Sequence, residues 1–139
     1  MPSIFTRIIQ GEISAYKIAE TADFFAFLDI RPVQKGHCLV IPKKETDYIF
    51  DLSERDYLNL HIFARYIAAG LQKAVDCKRI ATTVVGLEVP HVHIHLVPLQ
   101  NLPFINFAAD RIVLTDAELQ QIAADIRLQL AAIDTPNFL

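Results

Sequence analysis

The stretch HVHIHLVP, residues 91–98, places histidine at alternate positions, with an aliphatic residue after each one. Strict alternation is the two-residue period of a half-buried β-strand, so the three imidazoles share one face and the aliphatic side chains share the other. Successive histidines of an ideal strand lie roughly 6.6 Å apart, which lets several imidazoles hold one small anion or polar ligand. Because Pro90 and Pro98 bracket the run, as proline does at strand ends, we predict a strand over 91–98.

Three interpretations of this histidine face are possible. A solvated polar face is the simplest, but such faces usually carry threonine, lysine or glutamate. A metal site is the second, since neutral imidazole binds zinc and copper, although no cysteine, aspartate or second histidine run lies close in sequence. The third is phosphoryl or nucleotidyl transfer, with one histidine as nucleophile and the others as donors to phosphate oxygens. The pattern alone leaves the last two open.

Composition narrows the class of protein. A chain of 139 residues predicts a single domain, residues 1–139, that buries a real core. The hydrophobic content of 53% is high for a monomer and predicts an apolar surface that a partner chain covers. A net charge of −3 without a basic cluster argues against a nucleic-acid polymer as partner.

The sequence also predicts where the protein works. No uncharged apolar run approaches the roughly 18 residues of a membrane span, and the first residues match no signal peptide or myristoylation motif. Cys38 and Cys77 are isolated and fit no metal or redox spacing. We therefore expect reduced thiols in a cytoplasmic protein that has no membrane partner.

Local patterns predict the other elements. In chain order they are a helix at 3–10 capped by Ser3, strands at 16–20, 24–29 and 37–41, a helix from Ser53 to about Val75, a strand at 79–85, an irregular stretch around Asn101 and Pro103, a short apolar piece at 111–114, and a helix from the Thr115–Glu118 capping box to about Ala132. Gly70, in the middle of the long helix, costs about 1 kcal/mol relative to alanine and suggests a close backbone contact. This order predicts an α+β fold with a mainly antiparallel sheet.

Two further positions are candidates for a site. Asp29 shares a strand face with Phe25 and Phe27, so its carboxylate could hold a ribose beside a ring that stacks on a base, or could simply be an aspartate at a strand end. His37 follows a glycine turn at the start of its strand. A single histidine there is more often structural, but the histidine face makes it a candidate fourth imidazole.

The chain resembles a known family. The segments IFTRIIQGEISAYKI (4–18), FAFLDIRPVQKGHCLVIPKK (25–44) and VPHVHIHLVP (89–98) are similar, in order and spacing, to the histidine-triad (HIT) superfamily and in particular to its Hint-like nucleotide hydrolases. The resemblance covers about residues 3–98 and leaves 99–139 as a C-terminal extension. It implies a HIT-like fold of five mainly antiparallel strands with one long helix and an additional C-terminal helix.

The resemblance also implies catalytic roles. His93 corresponds to the nucleophile that attacks the α-phosphorus and forms a nucleotidyl-histidine intermediate. His95 and His37 correspond to partners that hydrogen-bond phosphate or relay protons, and His91 to the support that orients His93. An imidazole whose Nδ1–H is held by a carbonyl presents its other nitrogen as a lone pair near neutral pH and needs no metal.

Binding roles follow in the same way. Phe5, Phe27 and Leu39 resemble the pocket for the base, and Asp29 resembles the acceptor for the ribose hydroxyls. Glu88 stands near the scissile phosphate, where relatives carry a small polar residue. An ionised Glu88 would repel the charge of a longer polyphosphate, and a protonated one could donate to the leaving group, so we expect it to favour nucleoside monophosphate conjugates over dinucleoside polyphosphates. The alternative is that Glu88 turns outward into solvent and does neither.

The chain departs from the family pattern at two places. Many relatives bind a structural zinc through a Cys-x-x-Cys pair, but here Ser3, Thr6 and Glu45 occupy the ligand positions. We therefore expect a protein without metal or other cofactor. The loop before the triad, residues 81–90, is shorter than in relatives and places Thr83, Leu87 and Glu88 where polar phosphate contacts are expected.

The function implied is hydrolysis or transfer at the α-phosphate of nucleoside phosphoramidates or related nucleotide conjugates, with a purine nucleotide as substrate. Two alternatives remain: a nucleotide-binding or adaptor protein with weak turnover, and a dinucleoside polyphosphate hydrolase. We also expect a homodimer that pairs through the helix at 54–75 and its neighbouring strand.

Overall fold

The computed structural model describes residues 1–100, 107 and 111–139. Its elements in chain order are α1 (Ile4–Ile9), β1 (Lys17–Glu20), β2 (Phe24–Leu28), β3 (Cys38–Pro42), a 3₁₀ turn (Ile49–Asp51), α2 (Glu54–Ala74), β4 (Arg79–Thr83), β5 (Ile94–Leu99) and α3 (Asp116–Ala131). The irregular stretch predicted around Asn101 and Pro103 lies outside the described residues. Within the described ranges, none of the helices has the length and apolar character that crossing a bilayer requires.

The described strands form one sheet in the order β1-β2-β3-β5-β4, and every neighbouring pair is antiparallel. The predicted α+β fold, with five antiparallel strands, one long helix and a C-terminal helix, is confirmed. The central strand β3 pairs with β2 over its whole length, and with β5 only over Cys38–Val40. The histidine strand therefore lies next to the strand that begins just after His37.

Alternation along the strands separates the two faces of the sheet. Ala26, Val40 and Ile94 belong to the large core that packs against α2 and α3. Phe27 and Leu39 point the other way and belong to a smaller cluster under α1. Since β5 follows the same two-residue period, His95 lies on the α1 face of the sheet, away from the two long helices.

Both long helices begin at the predicted caps. Ser53 accepts a hydrogen bond from the Asp56 N–H, and Thr115 and Glu118 form a capping box. Both helices end within one residue of the predicted ends. On each helix, apolar residues spaced three or four apart form one buried stripe, namely Leu60, Ala64, Ile67 and Leu71 on α2 and Leu119, Ile122, Ala123, Ile126 and Leu130 on α3.

Gly70 lies where α2 packs directly against Leu130 of α3. A Cβ atom at this position would lie 2.5 Å from Cδ2 of Leu130, well inside van der Waals contact. The absence of a side chain lets the buried Leu130 side chain enter this space. The cost of a mid-helix glycine is therefore linked to helix packing, as the sequence suggested.

The histidine strand differs from its prediction at both ends. It begins at Ile94 rather than His91, because the Val92 N–H donates to the Thr46 carbonyl and leaves the sheet ladder. At the other end Pro98 lies inside β5. It is tolerated because β3 pairs with β5 only as far as Leu96, so β5 has just one partner at the proline. The strand predicted at 79–85 ends earlier, at Thr83.

Candidate active site

Four histidines meet at the edge where β5 begins. His91 and His37 are completely buried, and His93 and His95 keep only 7% and 8% of their surface exposed. The His93 and His95 rings lie 4.9 Å apart, closer than the spacing of an ideal strand, since His93 lies just before β5 and His95 within it. We call His91, His93 and His95 the histidine row, and the fold brings His37 into contact with its last member, His95.

The His93 ring is fixed by the backbone just before it. Its Nδ1 lies 2.7 Å from the carbonyl oxygen of His91, and a carbonyl can only accept, so Nδ1 carries the proton. The Phe5 ring packs edge-on against His93, with centroids 5.1 Å apart. The lone pair of His93 is therefore on Nε2, the arrangement that a nucleophilic imidazole needs.

His37 and His95 form a directed pair. The Val33 N–H donates to Nδ1 of His37 at 3.2 Å, which leaves the His37 proton on Nε2. That Nε2 lies 2.9 Å from Nδ1 of His95, which must then accept. The His95 proton is consequently on Nε2, so this imidazole can donate a hydrogen bond to a ligand.

Burial keeps these rings neutral. It lowers the pKa of His37 to about 3, with smaller effects from His95, Arg111 and His93. Burial also lowers the pKa of His95 to about 4, helped by His93 and Arg111. At neutral pH both rings are therefore hydrogen-bonding groups without charge.

His91 serves a different group of residues. Its Nε2 donates to the Pro42 carbonyl at 2.8 Å, so its Nδ1 accepts the Ser3 hydroxyl at 2.7 Å. The Ser3 N–H and the Thr6 hydroxyl both donate to Oε1 of Glu45, at 2.6 and 2.7 Å. These hydrogen bonds lower the pKa of Glu45 to about 2, the Ser3 N–H contributing most. The network ties the start of α1 to the first histidine of the row.

This network occupies the position where many members of the resembled family hold zinc, and its residues do not fit the metal. Two of the side chains are hydroxyls, which are poor zinc ligands compared with thiolate and imidazole. A zinc ion would also need the lone pair on Nδ1 of His91, but that atom already accepts a hydrogen bond from the Ser3 hydroxyl. Among the described residues no buried side-chain nitrogen or oxygen lacks a partner, so the network needs no ion to complete it.

A second possible cation site was invisible in the sequence. Asp29, His37 and His95 each place a ligand atom within 4.8 Å of the others. Coordination through Nε2 of His37 would require a proton on Nδ1, where the Val33 N–H already donates. The hydrogen-bond pattern therefore favours a histidine relay over a metal centre.

The residues expected to bind base and ribose lie beside the row. Phe5, Phe27 and Leu39 are buried in one cluster, and the Phe5 and Phe27 rings meet edge to face at 5.5 Å. Asp29 follows β2, accepts the Arg31 N–H at 2.9 Å and keeps 19% of its side chain exposed. Burial raises the pKa of Asp29.

A cavity of about 160 Å³ opens at the row. Its lining is Val85, Gly86, Leu87, Glu88, His93, His95, Phe107 and Arg111. Of the three loop residues expected to contact phosphate, Leu87 and Glu88 line the cavity. Thr83 pairs with His95 across β4 and β5 and is not part of the lining. A larger cleft of about 480 Å³, lined by Tyr48, Phe50, Tyr57 and other residues, also reaches His93.

Phe107 and Arg111 are the site residues that the sequence did not indicate. The Phe107 ring packs on His95, with centroids 4.5 Å apart, and the Arg111 guanidinium lies 5.4 Å from the Phe107 centroid. Both belong to the extension, where no motif was recognised. The only signal was a single arginine before an apolar piece, which is too common to identify a site.

Comparison with known sequences places this geometry in a family. The HIT domain model matches residues 10–102. An uncharacterised HIT-like protein of Mycobacterium tuberculosis is 32% identical over 139 residues, covering 96% of each chain. The adenosine 5'-monophosphoramidase of Schizosaccharomyces pombe is 33% identical over 102 residues, which cover 73% of this chain and 77% of the yeast protein.

Solved structures agree with the fold. A hypothetical histidine triad nucleotide-binding protein from Sulfolobus tokodaii aligns with a TM-score of 0.83 at 25% identity, over 93% of this chain and 92% of that one. A Zn-bound histidine triad family protein from Mycobacterium smegmatis aligns with a TM-score of 0.80 at 26% identity, over 94% of each chain. With the family model covering most of the chain and the triad geometry in place, this protein belongs to the HIT domain family.

Proposed function

We propose that this protein hydrolyses nucleoside phosphoramidates, or related nucleotide conjugates, at the α-phosphorus through a nucleotidyl-His93 intermediate. The observation that carries the proposal is the hydrogen bond from Nδ1 of His93 to the His91 carbonyl, which leaves a lone pair on Nε2. Relatives that are named adenosine 5'-monophosphoramidases support the substrate class.

The reaction has two displacements. Nε2 of His93 attacks phosphorus as the bond to the leaving group breaks, and water then breaks the new N–P bond. The sum is conjugate plus water, giving a nucleoside monophosphate and the free amine or alcohol. His95 acts as a donor through Nε2–H to a phosphate oxygen, and His37 is a positioning residue that fixes the tautomer of His95.

The substrate's nucleoside is proposed to lie beside the row. The aromatic cluster of Phe5 and Phe27 offers ring edges and faces to a purine, and the Asp29 carboxylate can accept the ribose hydroxyls. Glu88 and Arg111 then face the phosphate from the cavity.

Trapping the adduct tests the proposal. Mixing the protein with an adenosine phosphoramidate and stopping the reaction rapidly should give a mass increase of one adenylyl group, located at residue 93. His93→Ala should lose the adduct and reduce turnover by orders of magnitude, while adenosine monophosphate still binds. Arg65→Ala, at an exposed position on α2, is the control. A binding or adaptor protein would bind the monophosphate and form no adduct, and near-normal turnover by His93→Ala would make the role assignment wrong.

We propose in addition that the protein is a cytoplasmic homodimer. The strand β4 is at the edge of the sheet, and exposed apolar side chains lie near it, among them Val85 and Leu87. Cys38 and Cys77 are free thiols, in keeping with a reducing compartment. Light scattering at micromolar concentration should give twice the 15.7 kDa mass of one chain, and a single 15.7 kDa species would rule the dimer out.

A further inference from the structure

The cavity at the histidine row has an uneven distribution of charge. Of the described residues that line it, Arg111 is the only arginine or lysine and Glu88 the only acid. His95 is neutral at neutral pH, because burial lowers its pKa to about 4. It can donate a hydrogen bond, but it brings no positive charge to a phosphate. Arg111 is therefore the one permanent positive charge that the described lining offers to an anion.

We propose that Arg111 binds the 5'-phosphate of the nucleotide and makes the site select phosphorylated nucleosides over nucleosides. The inference rests on the proposed function, since it assigns a specificity residue to the same site. A guanidinium carries a planar fork of donors that matches two phosphate oxygens. The C-terminal extension, outside the segments that carry the family resemblance, thereby supplies part of the binding site.

Backbone contacts hold Arg111 in place. Its Nη1 donates to the Arg31 carbonyl at 2.8 Å, and the next residue, Ile112, donates its N–H to the Pro32 carbonyl at 2.8 Å. The same turn positions His37 through the Val33 N–H. The loop at residues 31–33 therefore fixes both the His37–His95 pair and the Arg111 guanidinium. This lowers the conformational entropy that is lost when a phosphate binds.

The position relative to Asp29 matches the layout of a nucleotide. Nη1 of Arg111 lies 3.7 Å from Oδ2 of Asp29, too far for a hydrogen bond but close enough to compensate charge. In a nucleoside 5'-phosphate the ribose hydroxyls and the phosphate belong to one sugar. A ribose acceptor and a phosphate-binding cation must therefore be neighbours, as Asp29 and Arg111 are.

Calorimetric binding of adenosine and adenosine monophosphate tests the inference. Arg111→Gln should weaken binding of the monophosphate roughly 10- to 100-fold, the range for a lost charged hydrogen bond, and leave adenosine binding within about twofold. Arg111→Lys keeps the charge without the planar fork of donors, so its affinity for the monophosphate should lie between those of the wild type and Arg111→Gln. Arg65→Gln removes an exposed arginine from α2 and should change neither affinity.

The outcomes separate this inference from the proposed function. Equal losses for adenosine and its monophosphate in a folded Arg111→Gln protein would mean that Arg111 only supports Asp29, and would overturn the inference, as would no loss at all. If Arg111→Gln does not fold, Arg111→Lys decides by the same comparison. If the wild type forms the His93 adduct while its Arg111 variants bind the monophosphate normally, only the inference fails. If the variants lose monophosphate affinity but no adduct forms, only the proposed hydrolysis fails. A wild-type protein that binds no adenosine monophosphate would overturn both the inference and the proposed hydrolysis.

Discussion

Nδ1 of His93 donates to the main-chain carbonyl oxygen of His91, two residues earlier, at 2.7 Å. The orientation of the proposed nucleophile therefore comes from the backbone of His91 and not from its imidazole. That imidazole is instead held between the Ser3 hydroxyl and the Pro42 carbonyl, where it joins α1 to the end of β3. The resemblance implied that His91 orients His93. In the structure the main-chain carbonyl oxygen of residue 91 makes that contact, and any amino acid at this position would supply it.

Replacing the His91 side chain should consequently affect stability more than chemistry. His91→Asn keeps the carbonyl that orients His93 but loses a buried hydrogen-bonded ring, so we expect the free energy of unfolding to fall by about 1–3 kcal/mol. Single-turnover formation of the adduct should fall far less than in His93→Ala. Denaturant unfolding and rapid-quench kinetics measure the two effects. A His91→Asn protein of unchanged stability that forms no adduct would show that the imidazole itself is needed.

The sequence predicted those parts of the fold that depend on local periodicity and caps. The stripes of α2 and α3 and the alternation of β2 and β3 are local in sequence, and hydrophobic burial enforces them. The start of β5 was predicted wrongly because the Val92 N–H pairs with Thr46, a partner 46 residues away that no local pattern reveals.

The candidate site was predictable only in part, for the same reason. His37 and His95 were proposed separately, but their hydrogen bond and the Val33 N–H that directs it depend on tertiary structure. Arg111 reaches the cavity through a contact with Arg31, 80 residues earlier in the chain. Residues that lie outside motifs and act through distant backbone partners leave no signal in a single sequence.

We predict that the protein folds and acts without zinc. Ser3, Thr6 and Glu45 satisfy one another and His91 by hydrogen bonds, so an ion would have to displace existing partners. Elemental analysis of protein purified without a metal-affinity tag should find no stoichiometric zinc, and a chelator should leave turnover unchanged. The triple variant Ser3→Cys, Thr6→Cys, Glu45→His offers two thiolates and two imidazoles with His91 and should gain zinc as a positive control. Stoichiometric zinc in the wild type, with activity lost to chelator, would contradict the prediction.

Stability should fall on mild acidification. The pKa values of His37 and His95 are lowered to about 3 and 4 in the folded protein, below the ordinary value of 6.5. As pH falls below 6.5 the unfolded chain takes up these protons first, which favours unfolding, and the effect is complete near the folded pKa values. Each ring contributes up to about 1.4 kcal/mol per pH unit in that window, while Asp29, with its raised pKa, acts in the opposite direction.

Urea unfolding between pH 7 and 5 measures this dependence. His37→Gln removes one of three buried rings whose pKa is lowered, the others being His91 and His95, and should flatten the slope. A wild-type free energy of unfolding that stays constant from pH 7 to 5 would be incompatible with neutral buried rings.

Gly70→Ala should destabilise the protein although alanine is the better helix former by about 1 kcal/mol. The new methyl group would lie 2.5 Å from Leu130 Cδ2, and overpacking of this kind costs about 1–3 kcal/mol. In a Leu130→Ala background the clash is absent, so the same substitution should become neutral or stabilising there. Equal effects of Gly70→Ala in both backgrounds would mean that the two residues do not determine the approach of α2 and α3.

Glu88 should bias the site against long polyphosphates. It is exposed and lines the cavity with His93, His95 and Arg111, so its negative charge faces the phosphate of a bound substrate. At 4 Å each pair of like unit charges costs roughly 1 kcal/mol even at the dielectric constant of water, and a dinucleoside polyphosphate brings more such charges than a phosphoramidate. Glu88→Gln should therefore raise kcat/KM for diadenosine polyphosphate relative to adenosine phosphoramidate by about fivefold per charge relieved. Asp134→Asn removes the same charge from an exposed position after α3 and serves as the control. An unchanged ratio of the two kcat/KM values in Glu88→Gln would mean that Glu88 turns into solvent and takes no part in selecting the substrate.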